Sequence, residues 1–535
     1  MYAFVHMRSK LFVYRLPILS GILIGTSYIP FWPWALFFGL VPLFLFWKNA
    51  ESPKQAFIGG WITQFILNLI GFHWIAYTAI EFGNFHPVLG VLALLAFAAI
   101  AHLQFAAGGA LGLWLVRKLK IRREWTMGLC ALMLAICWHE FPMIFPWHMG
   151  YPWLWAKFPG AQFADVIGFD GLNLFTILVN FCVAQAIAIG FFAGARKRPA
   201  LGWIGAAVSI VAILNLLGLG RAEKWRETDA EMKILTVQGN IGNYDKHMVE
   251  HGRQFRDPVV AKFIDLTVLG LAKHPEADAI MWPETAFPDV MDVPFQSDTN
   301  ATKVRNLIRE SQKPLLTGAY SFDKAKDETY NGFFIFDKDG ISQELPYHKT
   351  ILLVFGETFP FSEYIPYMGK LFPNQGSFGR GSGPTVMNAT IAGRTVRFGT
   401  QICYEGLYPW FSQELAEKGA QVFSNVTNDS WFGRDFEPYQ HLYMTFARSI
   451  EFRRPLIRAT NTGITTGMLA TGEILEFSPI RTEWTGVFRI PYKIDPPQTT
   501  YQKFCGAWRW VLALGLVLLL AFGRRKLAGD ETSDA

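Results

Sequence analysis

Charged residues are scarce in this chain. Of its 535 residues only 17% are Asp, Glu, Lys or Arg, while 51% are hydrophobic. The net charge of +6 is small for the length, and no basic run is interleaved with aromatics, so no nucleic-acid partner is expected. Cysteine is scarce too. Cys130, Cys137 and Cys182 lie inside apolar runs, Cys505 opens the last such run, and Cys403 stands alone in the more polar region. A disulfide framework within that region is excluded, because its one thiol has no neighbour. Also missing are a Gly-rich phosphate loop, a paired-cysteine zinc motif and a His-Glu-x-x-His helix. No metal and no cofactor are expected.

What is present falls into two unlike regions. Residues 16–221 are almost continuously apolar and aromatic, 222–502 read as a soluble domain, and 504–523 are apolar again. A bilayer core of about 30 Å takes about 20 apolar residues per helix, so the first region holds several spans. Eight are expected, at about 16–30, 33–47, 56–75, 88–116, 125–143, 171–195, 200–219 and 504–523. Basic residues cluster after every second one: Lys48 and Lys54; Arg117, Lys118, Lys120, Arg122 and Arg123; Arg196, Lys197 and Arg198; Arg524, Arg525 and Lys526. The alternate linkers, 76–87 and 144–170, carry only Lys157 between them.

That alternation is the positive-inside pattern, which puts both termini in the cytoplasm and 222–502 on the other side. The expected domains are a transmembrane domain over 1–221, an extracytoplasmic domain over 222–502, and a last span with a short cytoplasmic tail over 503–535. The basic N-terminus before an apolar run reads as an uncleaved first hairpin, since a second apolar run follows directly. The aromatic linker with Trp147, Tyr151, Trp153, Trp155 and Phe158 reads as an interfacial belt, with a lipid entrance as the alternative. His73, Glu81, His102, His139 and Glu140 form no motif across successive spans, so no ion pathway is expected.

Within 222–502, short β-rich runs alternate with helical ones, as in a layered α/β domain. Residues 233–238, 279–282, 314–320, 394–403 and 421–426 read as strands, and 259–273, 302–310 and 439–452 as helices. Residues 331–336 and 340–347 are expected to pair across a turn at 338–340. Three segments carry chemistry. In Trp282-Pro283-Glu284-Thr285 a carboxylate leaves the end of a buried strand. In Tyr347-His348-Lys349 a lysine ends a hairpin, and Glu357 follows at the eighth position. In Ile402-Cys403-Tyr404-Glu405 a cysteine sits where a strand turns into a helix. A helix beginning there would lower the thiol pKa and stabilise an oxyanion through its free N–H groups. Lys349 would add to both effects, and Glu284 would accept the thiol proton.

Glu, Lys and Cys in this order and in these contexts resemble the nitrilase superfamily of carbon–nitrogen hydrolases. The segments Ser377-Phe378-Gly379-Arg380-Gly381, Asn428-Asp429-Ser430-Trp431-Phe432-Gly433 and Arg458-Ala459-Thr460-Asn461 support it. With eight spans around them, and with Trp32-Pro33 and Phe145-Pro146-Trp147, the chain resembles the membrane-bound apolipoprotein N-acyltransferase family. One departure is Val354, where the family's lysine segment carries proline. The resemblance implies an αββα sandwich for 222–502 and a Glu284–Lys349–Cys403 triad. It implies that Glu357 and Glu405 orient Lys349 and the nucleophile, and that the Tyr404 N–H joins Lys349 in holding the oxyanion. Trp431, Phe432 and Asn428 become candidate substrate contacts. The 374–384 stretch, rich in glycine, is a lid or a linker.

The implied reaction is ping-pong at the bacterial inner membrane, with the catalytic domain on the periplasmic side. A phospholipid donates an acyl chain to Cys403, and the α-amine of a diacylglyceryl-cysteine lipoprotein accepts it. The thioester stores the activation, so no nucleotide is needed. A monomer is expected. Two rivals are a membrane-tethered amidase, with water as second nucleophile, and a transporter or lipid scaffold with an inert nitrilase domain.

Overall fold

The computed structural model describes residues 13–81, 85–192, 197–242, 253–292, 299–342, 344–353, 357–358, 378–433 and 435–524. The chain divides into two compact units. One comprises residues 1–76, 87–219 and 503–535, the other residues 77–86 and 220–502. Val354, Phe355 and Gly356, and the first part of the glycine-rich stretch at 374–377, lie outside the described residues.

In the first unit the apolar runs fold as helices, among them Arg15–Gly25, Val41–Asn49, Pro53–Gly71, Thr126–Glu140, Ala164–Phe192 and Ala507–Gly523. Among the described residues, Pro87–Lys118, Pro159–Gly190 and Arg198–Trp225 are long and apolar enough to cross a membrane. A fourth crossing results if Pro53–Gly71 and Trp74–Glu81, bent by 60°, act as one. Val88, Leu201, Val208, Leu216, Trp510, Val517 and Phe522 are each at least 60% exposed. Large apolar side chains facing outward suit hydrocarbon rather than water.

Two expectations fail here for physical reasons. Residues 33–40 are not a regular helix, which begins only at Val41. Pro30 and Pro33 lack the N–H groups a helix needs, and Asn180 serves the backbone left free. Its Oδ1 accepts from Leu40 N at 2.9 Å and its Nδ2 donates to Leu36 O at 3.0 Å, which satisfies two of the backbone groups the broken helix leaves free. Nor are Trp147, Tyr151 and Trp153 an interfacial belt, for all three are fully buried. Trp147 packs on Tyr28 and His102 with ring centroids 4.9 and 5.0 Å away. Trp153 Nε1 donates to Thr176 Oγ1 at 2.8 Å. Ring contacts hold Trp147, and for Trp153 a hydrogen bond from its N–H adds to them, so both are anchored inside the bundle rather than at its rim.

The second unit holds two sheets. Its strands are β1 (Ala230–Gln238), β2 (Ala279–Met281), β3 (Phe287–Val290), β4 (Leu315–Asp323), β5 (Glu328–Phe336), β6 (Tyr347–His348), β7 (Val386–Ile391), β8 (Arg394–Ile402), β9 (Val422–Thr427), β10 (Leu456–Thr460), β11 (Thr466–Met468) and β12 (Trp484–Tyr492). The first sheet runs β12-β1-β2-β4-β5-β6, with β3 beside β4; the second runs β11-β10-β9-β8-β7. The central strands β1, β2 and β4 are mutually parallel, as are β8, β9 and β10. Such strands are buried on both faces, which is why β2 and β9 expose nothing. The expected hairpin arm at 340–347 shrinks to the two residues of β6, pairing Gly332 with His348 and Phe333 with Tyr347.

Against the first sheet pack the helices Arg253–Lys273 and Asn300–Ser311, through Val260, Phe263, Val304 and Ile308. Thr299 caps the second of these by accepting from Thr302 N at 3.3 Å. Phe263 meets Trp282 at 5.2 Å between ring centroids, and Trp282 Nε1 donates to Thr267 Oγ1 at 2.9 Å. This packing anchors the strand end that carries Glu284. Phe263→Ala is expected to lower the stability of the second unit by about 3–5 kcal/mol, read from thermal unfolding of the purified chain; an unchanged unfolding temperature contradicts this packing.

Candidate active site

The ends of the parallel strands bring the three chemical segments together. Just past β2, Glu284 is 5% exposed. Its Oε1 accepts from Lys349 Nζ at 3.0 Å and Asn331 Nδ2 at 2.7 Å, and its Oε2 from Asn428 N at 2.9 Å. Gly318 on β4 makes this approach possible, since a Cβ there would lie 2.6 Å from Glu284 Cα and from Thr285 N. Lys349 follows β6, is 1% exposed, and is tied by its own N–H to Asn331 O at 2.8 Å. Its ammonium also reaches Glu357 Oε1 at 2.9 Å. Glu357 in turn accepts from Asn331 Nδ2 at 2.9 Å and Leu353 N at 2.9 Å. One ammonium is thus held between two carboxylates, and one amide braces both.

Cys403 leaves the end of β8 with φ of +56°, in the left-handed region. A β-carbon is strained there, and such strain persists only where surrounding structure enforces it. The buried thiol faces Lys349, Glu284 and Glu357 electrostatically and interacts with the Thr427 side chain. Glu405 locks this turn to the lysine segment. It accepts from Ile402 N at 2.7 Å, Thr350 N at 2.6 Å, Ile351 N at 3.0 Å and Tyr347 OH at 2.8 Å. Tyr404 is buried, and its hydroxyl donates to Leu352 O at 2.6 Å.

The Carbon-nitrogen hydrolase family model matches residues 230–480, and that of the Apolipoprotein N-acyltransferase N-terminal domain matches residues 20–182. A curated apolipoprotein N-acyltransferase from Bdellovibrio bacteriovorus is 44% identical over 530 residues, covering 98% of this chain and 96% of its own. The chain belongs to the apolipoprotein N-acyltransferase family. A second member, from Geobacter metallireducens, is 28% identical and covers 96% of each chain. Among solved structures, Saccharomyces cerevisiae Nit3 of the nitrilase superfamily matches 54% of this chain and 96% of its own, at 16% identity and a TM-score of 0.37.

Two expectations for this family member change with the geometry. The thiol pKa is raised, not lowered: burial pushes it up and Glu284 adds repulsion, against the weaker pull of Lys349 and Thr427. The helix after Cys403 is a five-residue 3₁₀ turn, Cys403–Leu407, and the regular helix starts only at Pro409. The regular helix therefore does not begin at the thiol, contrary to expectation. Burial also pushes the Lys349 ammonium down, but Glu284, Glu357 and Cys403 outweigh it and hold it well above its ordinary value. The resting site is therefore a neutral thiol beside a charged Lys349, so attack requires a proton acceptor at hand.

Asn428 is built into the site by two hydrogen bonds. Its N–H serves Glu284, and its side-chain oxygen accepts from Asn461 Nδ2 at 2.9 Å. Phe432 is buried and Trp431 half-buried on the turn that follows. Sequence reasoning passed over Asn331, although an amide inside the apolar run of β5 is a legible sign of a buried polar task. Asp429, Glu437 and His441 also converge within 4.8 Å of one another. They make a poor metal centre, because the Arg458 guanidinium already lies 2.9 Å from Asp429 Oδ2 and 3.2 Å from His441 Nδ1.

Burial pushes the Glu405 carboxyl up to about 7, against the pull of its backbone donors. With the folded pKa above the ordinary 4.5, this group's contribution to stability is full at low pH and is lost as pH rises through about 7. Glu405→Gln is expected to flatten the fall in unfolding temperature between pH 4.5 and pH 7. An identical slope in the variant refutes this.

Proposed function

We propose that the chain is a phospholipid:apolipoprotein N-acyltransferase acting through a Cys403 thioester. Glu284 accepts the Cys403 proton as the sulfur attacks the ester carbonyl of a phospholipid. Lys349 and the Tyr404 N–H hold the developing oxyanion. Collapse breaks the ester C–O bond, and the proton on Glu284 passes to the departing lysophospholipid oxygen. The α-amine of a diacylglyceryl-cysteine lipoprotein then attacks the thioester, loses a proton to Glu284, and leaves as an amide while Cys403 regains its hydrogen. The observation that carries this reading is the buried ammonium of Lys349, 3.0 Å from Glu284 and 2.9 Å from Glu357. It supplies a fixed positive charge where a carbonyl oxygen turns negative, in surroundings where such charge acts strongly.

The same proposal extends to the membrane. The apolar runs and the basic clusters on every second linker support eight spans, with the domain at 222–502 outside the cytoplasm of a bacterial inner membrane. A lipid-embedded donor and a lipid-anchored acceptor explain a large apolar unit better than a small soluble amide would. Trp431 and Phe432 are proposed contacts of the acyl chain, and the enzyme is proposed to act as a monomer.

Incubation of the purified chain with phospholipid labelled in its acyl chain and a diacylated lipopeptide tests the proposal. Label is expected in an amide on the lipopeptide, with an acyl adduct on Cys403 when the lipopeptide is withheld, and Cys403→Ala is expected to abolish both. Release of free fatty acid without amide, or transfer by the alanine variant, would refute it.

A further inference from the structure

Behind the thiol lies a buried polar row with no part in the chemistry described above. Gln401, Asn425 and Arg458 are register partners across β8, β9 and β10, and none of the three is exposed. Asn425 Nδ2 donates to the Cys403 carbonyl at 2.9 Å and, more weakly, to Gln401 O at 3.4 Å. Its Oδ1 accepts from Arg458 Nη1. The other arm of the guanidinium, Nη2, donates to Asp429 Oδ2 at 2.9 Å. Asp429 is held in turn by His441 Nδ1 at 3.1 Å and Thr427 Oγ1 at 3.2 Å.

An amide has one donor end and one acceptor end. With Arg458 on the oxygen of Asn425, the NH₂ must face Cys403. The end of β9 then serves the site three times: Asn425 holds the Cys403 carbonyl, Thr427 the thiol, and the Asn428 N–H the Glu284 carboxylate.

Charge in the row is balanced. Burial alone would raise the Asp429 carboxyl, but Arg458 and His441 bring it down to about 2. Burial and the repulsion of Asp429 hold Glu437 well above its ordinary value, and burial with Arg458 lowers His441. Arg458 thus faces Asp429 as its direct counter-ion. Of the side chains here, only a guanidinium has two arms in a fixed fork to bridge an amide and a carboxylate at once.

We propose that Arg458 is a positioning residue for thioester formation: it fixes the Asn425 amide, which holds the Cys403 backbone in its left-handed conformation with the thiol toward Lys349 and Glu284. This rests on the acyl-transfer reading above. Asn425→Asp keeps the size of the side chain and its acceptor toward Arg458, while replacing the donor that faces Cys403. Arg458→Lys keeps the charge but cannot bridge both partners.

The test measures single-turnover acylation of Cys403 by phospholipid, across pH and lipid concentration, with thermal unfolding in parallel. Asn425→Asp is expected to slow acylation about 100-fold and Arg458→Lys about 10-fold, a size typical of a misplaced reacting group. Half-saturation by lipid should stay unchanged, and the loss should persist at high pH. Acylation at the parent rate, recovery as pH rises, or a loss matched by a loss of folded protein overturns the proposal. Alkylation of Cys403 by iodoacetamide reads the position of the thiol without lipid. Its pH profile should move in both variants, and an unmoved profile counts against the role of Arg458. A parent chain that alkylates at Cys403 but takes up no acyl group refutes the acyl-transfer reading instead.

Discussion

The arrangement of the second unit depends on one buried cation. Lys349 is almost wholly removed from water between Glu284 and Glu357. Removing one partner of such a pair costs about 3–5 kcal/mol, because the other charge is left stranded. The same charges bear on the state of the sulfur. Burial raises the Cys403 pKa most, Glu284 adds repulsion that Lys349 only partly offsets, and Cys403 rests as a thiol. In the proposed reaction, proton transfer to Glu284 and bond formation at the carbonyl must therefore proceed together. The ammonium then meets a negative charge on oxygen rather than on sulfur.

Geometry is enforced from several strands rather than from a loop. Glu284 is fixed by β5 through Asn331 and by the residue after β9 through Asn428. Glu405 joins the lysine segment to the end of β8. The bonds from Asn428 to Glu284 and from Thr350 to Glu405 cross between the two sheets, so each sheet is a scaffold for half of the site. A reacting group held by packed strands loses little freedom on reaching its transition state, which is where orientation repays its cost.

Much of the site was legible in the sequence, for a physical reason. Glu284 and Cys403 sit at the ends of apolar strand runs and Lys349 at the end of a hairpin arm, and parallel strands deliver their ends to one edge. Glu357 and Glu405 were legible through resemblance, and both prove to be buried acceptors of several donors. Asn331, Asn425 and Arg458 were not legible as site residues. Their tasks depend on cross-strand register, which one chain segment does not reveal. The expected thiol activation failed because burial and a carboxylate neighbour cannot be weighed from local sequence. In the first unit, the apolar runs foretold helices. The break before Val41 and the burial of Trp147 and Trp153 came from side chains far along the chain, Asn180 and Thr176 among them.

The central claim is that the Lys349 ammonium stabilises the oxyanion formed as Cys403 attacks a phospholipid ester. It is tested most directly by the single-turnover rate of Cys403 acylation in Lys349→Met, compared with the parent chain. The account predicts no thioester above background in a folded variant whose Cys403 still reacts with iodoacetamide. Acylation of the variant at a rate close to that of the parent would contradict it.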